Sequence, residues 1–232
     1  VLLYGVLKGV REVIKKQAMT KSSVLEVLFL YTLLGFLIVI PDYKNAMGMK
    51  PIWYFYVAVK SFIIFLAWIL SFKAIKRMPI SLYGVLDLSR VLFATLLGTI
   101  VLHEILSTYQ IFGLILVSAG LLLLRYKPPF LKKLFGVNEG NPKDGTGKQH
   151  QPVDKKMVLY AFISCLLNAI SGTMDKVLMK EMTSSQLQFW YMLFLVLMYG
   201  AYILLTRTKV HMKSLIKNYW IWILSILFII AD

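Results

Sequence analysis

The chain alternates between long apolar segments and short polar turns. Eight apolar segments can be distinguished, at residues 1–17, 23–40, 52–72, 80–102, 108–125, 157–179, 186–206 and 214–230. A helix of roughly 20 apolar residues crosses the hydrocarbon core of a bilayer and satisfies its own backbone hydrogen bonds there. The pattern therefore predicts an all-α polytopic membrane protein with about eight spans. Because both ends of the chain fall inside apolar segments, we interpret it as part of a longer protein.

One connection is unlike the others. Residues 126–156 are polar, basic and rich in glycine and proline, which is typical of a solvated linker. The linker separates a first repeat at 1–125, which lacks the start of its first helix, from a truncated second repeat at 157–232.

The two parts show an internal repeat when the chain is shifted by 163 positions. The shift pairs Gly9 with Gly172, Glu12 with Asp175, Met19 with Met182, Thr20 with Thr183, and Ser22 with Ser185. Because an odd number of spans precedes the linker, the second copy enters the membrane from the opposite side. This predicts inverted repeats, which are typical of transporters with a substrate site between the copies near the midplane.

Composition and charge agree with a membrane protein. Hydrophobic residues make up 59% of the chain, charged residues 16%, and the mean hydropathy is +0.71, which excludes an ordinary soluble domain. The net charge of +15 does not indicate nucleic-acid binding, because the cations lie mostly between spans. The connections after the first, third, fifth and seventh spans carry 19 cations, and the other connections carry four. We call the first set the basic side and predict that it is cytoplasmic, including linker 126–156.

The sequence lacks the motifs of an enzyme or a metalloprotein. Cys165 is the only cysteine, and the three histidines are far apart. No phosphate-binding loop, metal-ligand spacing or nucleophile–base set is present. We therefore predict no enzyme activity, no metal and no cofactor, and any transport would be secondary, with the coupling ion left open.

Three charged residues inside spans form the main candidate for a substrate site. Lys60, Asp87 and Arg90 lie at depths of about 12, 12 and 16 Å, counted along their helices, in a hydrocarbon core of about 30 Å. Charges at such depth are costly and suggest function. They are interpreted either as a cationic, carboxylate-balanced wall of a substrate cavity or as a buried triad that stabilises the fold.

Four further residues are weaker candidates. Glu12 and Asp175 lie near opposite membrane faces and are interpreted as gating residues or as partners of neighbours such as Arg11 or Lys176. Asn168 donates either to substrate or to another helix. Trp190 either lines the cavity or anchors the membrane interface. Outside this group, a turn role is expected for Glu104.

The sequence resembles the EamA-like family of the drug/metabolite transporter superfamily. The resemblance lies in the stretch from Ala74 to Ser81, then in Leu97, Gly98, Leu102, His103, Glu104, Ser107, Gln110, Gly113 and Gly120, and in the stretch from Ser171 to Lys176. It implies a ten-helix fold in the full chain, built from two inverted five-helix repeats. It does not name a substrate.

These observations lead to one main functional hypothesis. The protein is predicted to be a secondary transporter that moves a small-molecule metabolite by alternating access in the lipid bilayer of a bacterial plasma membrane, with its substrate site between the two repeats near the midplane. The alternatives are a flippase for lipid-linked substrates and a membrane scaffold or sensor that transports nothing. The oligomeric state is left open.

Overall fold

The computed structural model describes residues 2–20, 22–126, 154–207 and 218–231, and side chains within 9–20, 22–120, 154–207 and 218–225. These residues form helices and turns and contain no strand. The helices are α1 Leu2–Ala18, α2 Val24–Val39, α3 Tyr43–Ala46, α4 Pro51–Arg77, α5 Ile80–Asp87, α6 Ser89–Leu102, α7 Thr108–Tyr126, α8 Lys155–Leu178, α9 Ser184–Leu205 and α10 Tyr219–Ala231. A 3₁₀ turn, Ile40–Asp42, joins α2 to α3.

Five stretches of helix are long and apolar enough to cross a membrane. They are Val24–Ala46, Pro51–Arg77, Ile80–Leu102, Lys155–Leu178 and Ser184–Leu205. The predicted all-helical membrane fold is therefore confirmed, and the predicted span count is confirmed in part. The first predicted span is a helix of 17 residues with Lys15 and Lys16 in its last turn, and the fifth has a shorter apolar part, Thr108–Gly120. Residues 127–153 of the predicted linker 126–156 and residues 214–217 of the last predicted span lie outside the described residues, and α8 begins at Lys155 within the predicted linker.

Matching capping boxes begin α2 and α9. Ser23 Oγ accepts from the N–H of Glu26, whose carboxylate accepts from the N–H of Ser23, and Thr183 and Gln186 make the same two bonds. The two caps are 160 positions apart, as are the last residues of α1 and α8. Helix boundaries thus correspond at a shift of 160, three fewer than the shift of 163 taken from the sequence.

Five contacts between helices correspond when helices of the two parts of the chain are exchanged. α1 packs on α10, and α8 packs on α4. In the same way α2 packs on α10, and α9 packs on α4, while α2 and α9 lie against each other. Exchanging α1 with α8, α2 with α9 and α4 with α10 reproduces these five contacts, whereas the smaller contacts of α4 with α1 and with α2 have no counterpart of similar extent among the described residues.

Hydrogen bonds connect turns and helix ends with one another on the basic side of the bundle. Lys16 Nζ donates to the carbonyl of Met78 at 2.5 Å, and Lys76 Nζ donates to the carbonyl of Ser22 at 2.8 Å. Asn218 adds a bond of 2.9 Å to the carbonyl at the end of α1. The α1–α2 turn, the α4–α5 turn and the start of α10 therefore lie at one end, as alternating spans require.

A second set of contacts joins connections at the other end of the bundle, which we call the opposite side. Gln186 Nε2 donates to the carbonyl of Met47 at 3.1 Å, which brings the start of α9 to the connection between α3 and α4. Lys176, near the end of α8, forms an ion pair with Glu104 after α6, with Nζ and Oε1 2.8 Å apart. Both contacts join connections that the span count assigns to this side.

Candidate functional site

A cavity of about 550 Å³ lies among α1, α2, α4, α5, α6, α8 and α9. Its charged lining residues are Arg11, Lys15, Lys60, Arg90 and Lys176, together with Glu12, Asp87 and Asp175. Five cations and three carboxylates give this lining a formal charge of +2. Because charges inside a membrane protein are retained where they act on a substrate or ion, this cavity is the candidate functional site.

The cavity brings together six of the seven candidate residues. They are Lys60, Asp87, Arg90, Asn168, Glu12 and Asp175. Trp190 is not among the lining residues: its indole N–H donates to the carbonyl of Ala46 at 3.0 Å, and its ring meets that of Tyr54 edge-on. The roles predicted for these residues stay predictions, but six of the residues line the same cavity.

Lys60 joins the two parts of the chain. Its buried side chain, 6% exposed, extends from α4 and places Nζ 2.7 Å from Asp175 Oδ1 on α8. The same Nζ lies 3.9 Å from the centre of the Tyr191 ring, where a cation is attracted by the electron-rich ring face. Lys176, the neighbour suggested for Asp175, pairs instead with Glu104. The sequence does not indicate the Lys60–Asp175 pair, because its members are far apart in the chain.

The first predicted gating residue, Glu12, has a local partner. Its Oε1 accepts from Lys15 Nζ at 2.7 Å, one helical turn further along α1, and both side chains are 12% exposed. Lys15 Nζ also lies 5.4 Å from the centre of the Phe72 ring. Glu12 and Asp175 thus take part in two separate ion pairs that line the same cavity from α1 and α8.

Asp87 and Arg90 flank an interruption in the fourth span. The sequence predicts one continuous helix over 80–102, but α5 ends at Asp87 and α6 begins at Ser89. The N–H of Leu88 donates to the carbonyl of Val85, and the N–H of Val91 to that of Leu88, in the i to i+3 spacing of a 3₁₀ turn. Irregular helices within membranes commonly occur where they line a cavity, and both charged residues line this one.

Asn168 and Cys165 lie on the face of α8 that approaches this interruption. The amide of Asn168 lines the cavity and donates to the carbonyl of Ser164 in its own helix at 2.7 Å. Cys165 Sγ lies 3.9 Å from Asp87 Oδ1 and is buried. The small side chain of Cys165 allows the interrupted span to pack closely on α8.

Four aromatic residues form one side of the cavity. We call Tyr31, Trp68, Phe72 and Tyr191 the aromatic wall. Ring centres are 5.4 Å apart between Tyr31 and Trp68, 6.4 Å between Trp68 and Tyr191, and 6.4 Å between Tyr31 and Phe72. Tyr31 and Tyr191 correspond at the shift of 160. The sequence gives no direct signal for this wall, although matching the two capping boxes would have paired these tyrosines.

The cavity is open at one end of the bundle. On the opposite side its lining includes exposed Lys176, Met179 and Ser184. Towards the basic side the lining is buried, with Ser71 and Phe72 among its residues. Beyond them lie the bonds from Lys16 to Met78 and from Lys76 to Ser22. Among the described residues, the cavity lining is therefore exposed on the opposite side and buried towards the basic side.

The family of the chain can be decided from its first half. The EamA-like transporter family matches residues 1–126, more than half of the 232 residues. The chain belongs to the EamA-like transporter family. No curated protein matches it. The resemblance seen in the sequence is thereby confirmed, and the match covers α1 to α7 of the bundle.

Membership in the EamA-like transporter family makes the chain an integral membrane protein of a transporter family. Proteins of this kind are generally not enzymes. Within the described residues, no group of three or more histidine, cysteine, aspartate or glutamate side chains is placed to hold a metal ion. The described lining of the EamA-like cavity offers ionic, hydrogen-bonding and aromatic groups.

Proposed function

We propose that this EamA-like protein is a secondary transporter of small metabolites that carry an anionic or zwitterionic group. The observation that carries the proposal is the cavity itself, in which five cations and three carboxylates from both parts of the chain surround a space of about 550 Å³. A substrate with a negative group balances the excess of positive charge. Binding then replaces water around charges that are already held in place by the helices.

Alternating access is supported by the two ends of the cavity. The mouth is open on the opposite side, while the lysine-to-carbonyl bonds of Lys16 and Lys76 close the basic side. The exchange of packing partners between α1, α2, α4 and α8, α9, α10 is the arrangement expected of inverted repeats. In this proposal, an inward-facing state forms when those two bonds separate and the opposite mouth closes.

Uptake into proteoliposomes tests the proposed function. The full-length protein is reconstituted and offered a panel of labelled organic acids, zwitterions, neutral compounds and amines, with and without ion gradients. We expect saturable uptake of one or more negatively charged or zwitterionic compounds. Movement of lipid-linked compounds alone would support the flippase alternative. A folded protein that moves neither the compounds of this panel nor lipid-linked compounds would support the scaffold or sensor alternative.

The orientation of the bundle gives the first prediction. In a Cys165→Ser background, a cysteine at Gly140 in the predicted linker is expected to be shielded from membrane-impermeant thiol reagents in intact bacterial cells. A cysteine at Lys44, an exposed residue on the opposite side, is expected to react. The physical reason is the bias of 19 cations to four towards the basic side. The reverse labelling pattern would contradict the cytoplasmic assignment.

The closed end of the cavity gives the second prediction. Replacing both Lys16 and Lys76 by methionine keeps much of their length and removes the donors to the carbonyls of Met78 and Ser22. We expect the basic side to open more often, because each lost bond contributes about 1 kcal/mol or more to the closed state. A cysteine at Ser71, in a Cys165→Ser background, should then react several-fold faster with reagent supplied from the basic side. Unchanged reactivity would show that these lysines do not close that end.

A further inference from the structure

The aromatic wall is built by residues of three helices. Tyr31 comes from α2, Trp68 from α4 and Tyr191 from α9, so the wall spans both parts of the chain. Successive ring centres lie 5.4 and 6.4 Å apart. The Trp68 and Tyr191 rings are nearly perpendicular, at 84°, which leaves differently oriented ring surfaces along one path. Flat conjugated groups fit such surfaces through offset and edge-to-face contacts.

A cation lies directly beside this wall. Lys60 Nζ is 3.9 Å from the centre of the Tyr191 ring and 2.7 Å from Asp175 Oδ1. Trp68 is the less buried of the two rings, so a ligand whose ring rests on Trp68, 6.4 Å from the Tyr191 ring, can bring an attached acid group to Lys60. That acid group competes with Asp175 for the ammonium. The wall and the ammonium together define a site for a ligand that carries a ring and an acid group a short, fixed distance apart.

We propose that the cavity selects organic anions that carry a flat conjugated ring, with the ring on the aromatic wall and the acid group at Lys60. This inference rests on the proposed function and narrows its substrate class. Aryl carboxylates with a short spacer are the simplest members of this class. A wall of packing residues alone would favour saturated and conjugated rings equally, since both bury similar apolar area.

The test compares four ligands of similar size on the purified full-length protein in lipid nanodiscs. They are 3-phenylpropionate, 3-cyclohexylpropionate, 3-phenylpropionamide and 3-phenylpropylamine, and their affinities are measured by calorimetry. We expect 3-phenylpropionate to bind at least about tenfold more tightly than each of the others, because only it satisfies both the wall and the ammonium. This comparison uses the unaltered protein and does not depend on any variant folding.

A pair of tryptophan variants locates the effect. Trp68→Leu is expected to reduce the preference for the phenyl acid over the cyclohexyl acid to within about twofold, because it removes the central ring of the wall. Trp53→Leu, whose residue does not line the cavity and lies beside Tyr56, is the matched control and should keep the preference. Retention of the full preference in a folded Trp68→Leu protein would overturn the assignment to the wall.

The remaining outcomes separate this inference from the proposed function. Equal binding of the phenyl and cyclohexyl acids, with uptake of organic acids into proteoliposomes, overturns the ring preference and leaves the transporter proposal standing. The same holds if none of the four ligands binds while other negatively charged compounds are taken up. If a folded protein moves no compound in the uptake panel, the proposed function itself fails, and the inference fails with it.

Discussion

The Asp87→Asn protein is expected to reach the membrane in near-normal amounts and to transport at least about tenfold more slowly per folded molecule. Asp87 is one of three carboxylates that offset five cations in the cavity lining, and it ends α5 at the interruption of the fourth span. Losing its charge raises the formal charge of the lining from +2 to +3. We expect either that a substrate anion is held too tightly for release or that the fourth span shifts relative to its neighbours, and both effects slow transport.

Transport per folded molecule, set against membrane abundance, measures this effect. Glu104→Gln is the matched control, because it removes one carboxylate from an exposed ion pair that lies outside the cavity lining. That control should keep most of its transport. If Asp87→Asn instead melts early but its folded fraction transports normally, Asp87 stabilises the fold and has no part in the transport cycle.

Local sequence patterns were sufficient to predict the helices that cross the membrane. The apolar segments at 23–40, 52–72, 157–179 and 186–206 correspond to long apolar helices, because hydropathy and length alone decide which segments are stable in lipid. The interruption at Leu88 was not predictable in this way. The segment 80–102 is apolar enough to span a membrane despite Asp87 and Arg90 near its middle, and a 3₁₀ turn without proline leaves no mark in hydropathy.

The sequence was sufficient to predict several charged residues of the candidate site, but not their pairings or the aromatic wall. Buried charges are rare in spans, so depth alone selected Lys60, Asp87 and Arg90, which line one cavity in the structure. The ion pair between Lys60 and Asp175 depends on how α4 packs on α8, and a sequence contains no direct record of that packing. The aromatic wall was missed for the same reason, since aromatic residues are common in membrane helices for many purposes.

The repeat shift shows how identity can mislead in apolar sequences. A shift of 163 pairs identical residues such as Thr20 with Thr183, while the helix ends correspond at 160. The feature of the sequence that indicates the shift of 160 is the pair of capping boxes, because a cap fixes where a helix begins. At this shift Lys15 of one cavity ion pair corresponds to Asp175 of the other, so the two parts place opposite charges at corresponding positions.

The ion pair of Lys60 and Asp175 is expected to stabilise the packing of α4 on α8. Lys60→Asp places a second carboxylate beside Asp175 in a site where the lysine side chain is only 6% exposed. Removing one partner of a buried pair typically costs about 3 to 5 kcal/mol, and the 34% exposure of Asp175 lowers our expectation to about 2 to 3 kcal/mol. Unfolding in mixed micelles, followed by tryptophan fluorescence, measures the change.

Exchanging the two charges separates stability from transport. The double variant Lys60→Asp with Asp175→Lys restores an ion pair between α4 and α8, so we expect it to regain most of the lost stability. It also removes the ammonium from the Tyr191 ring, so we expect transport to stay at least about tenfold below normal. The same exchange at Lys176 and Glu104, whose side chains are 57% and 47% exposed, is the control and should change stability by less than about 1 kcal/mol. Normal transport by the folded double variant would show that this pair only joins the two helices and that Lys60 does not contact the substrate.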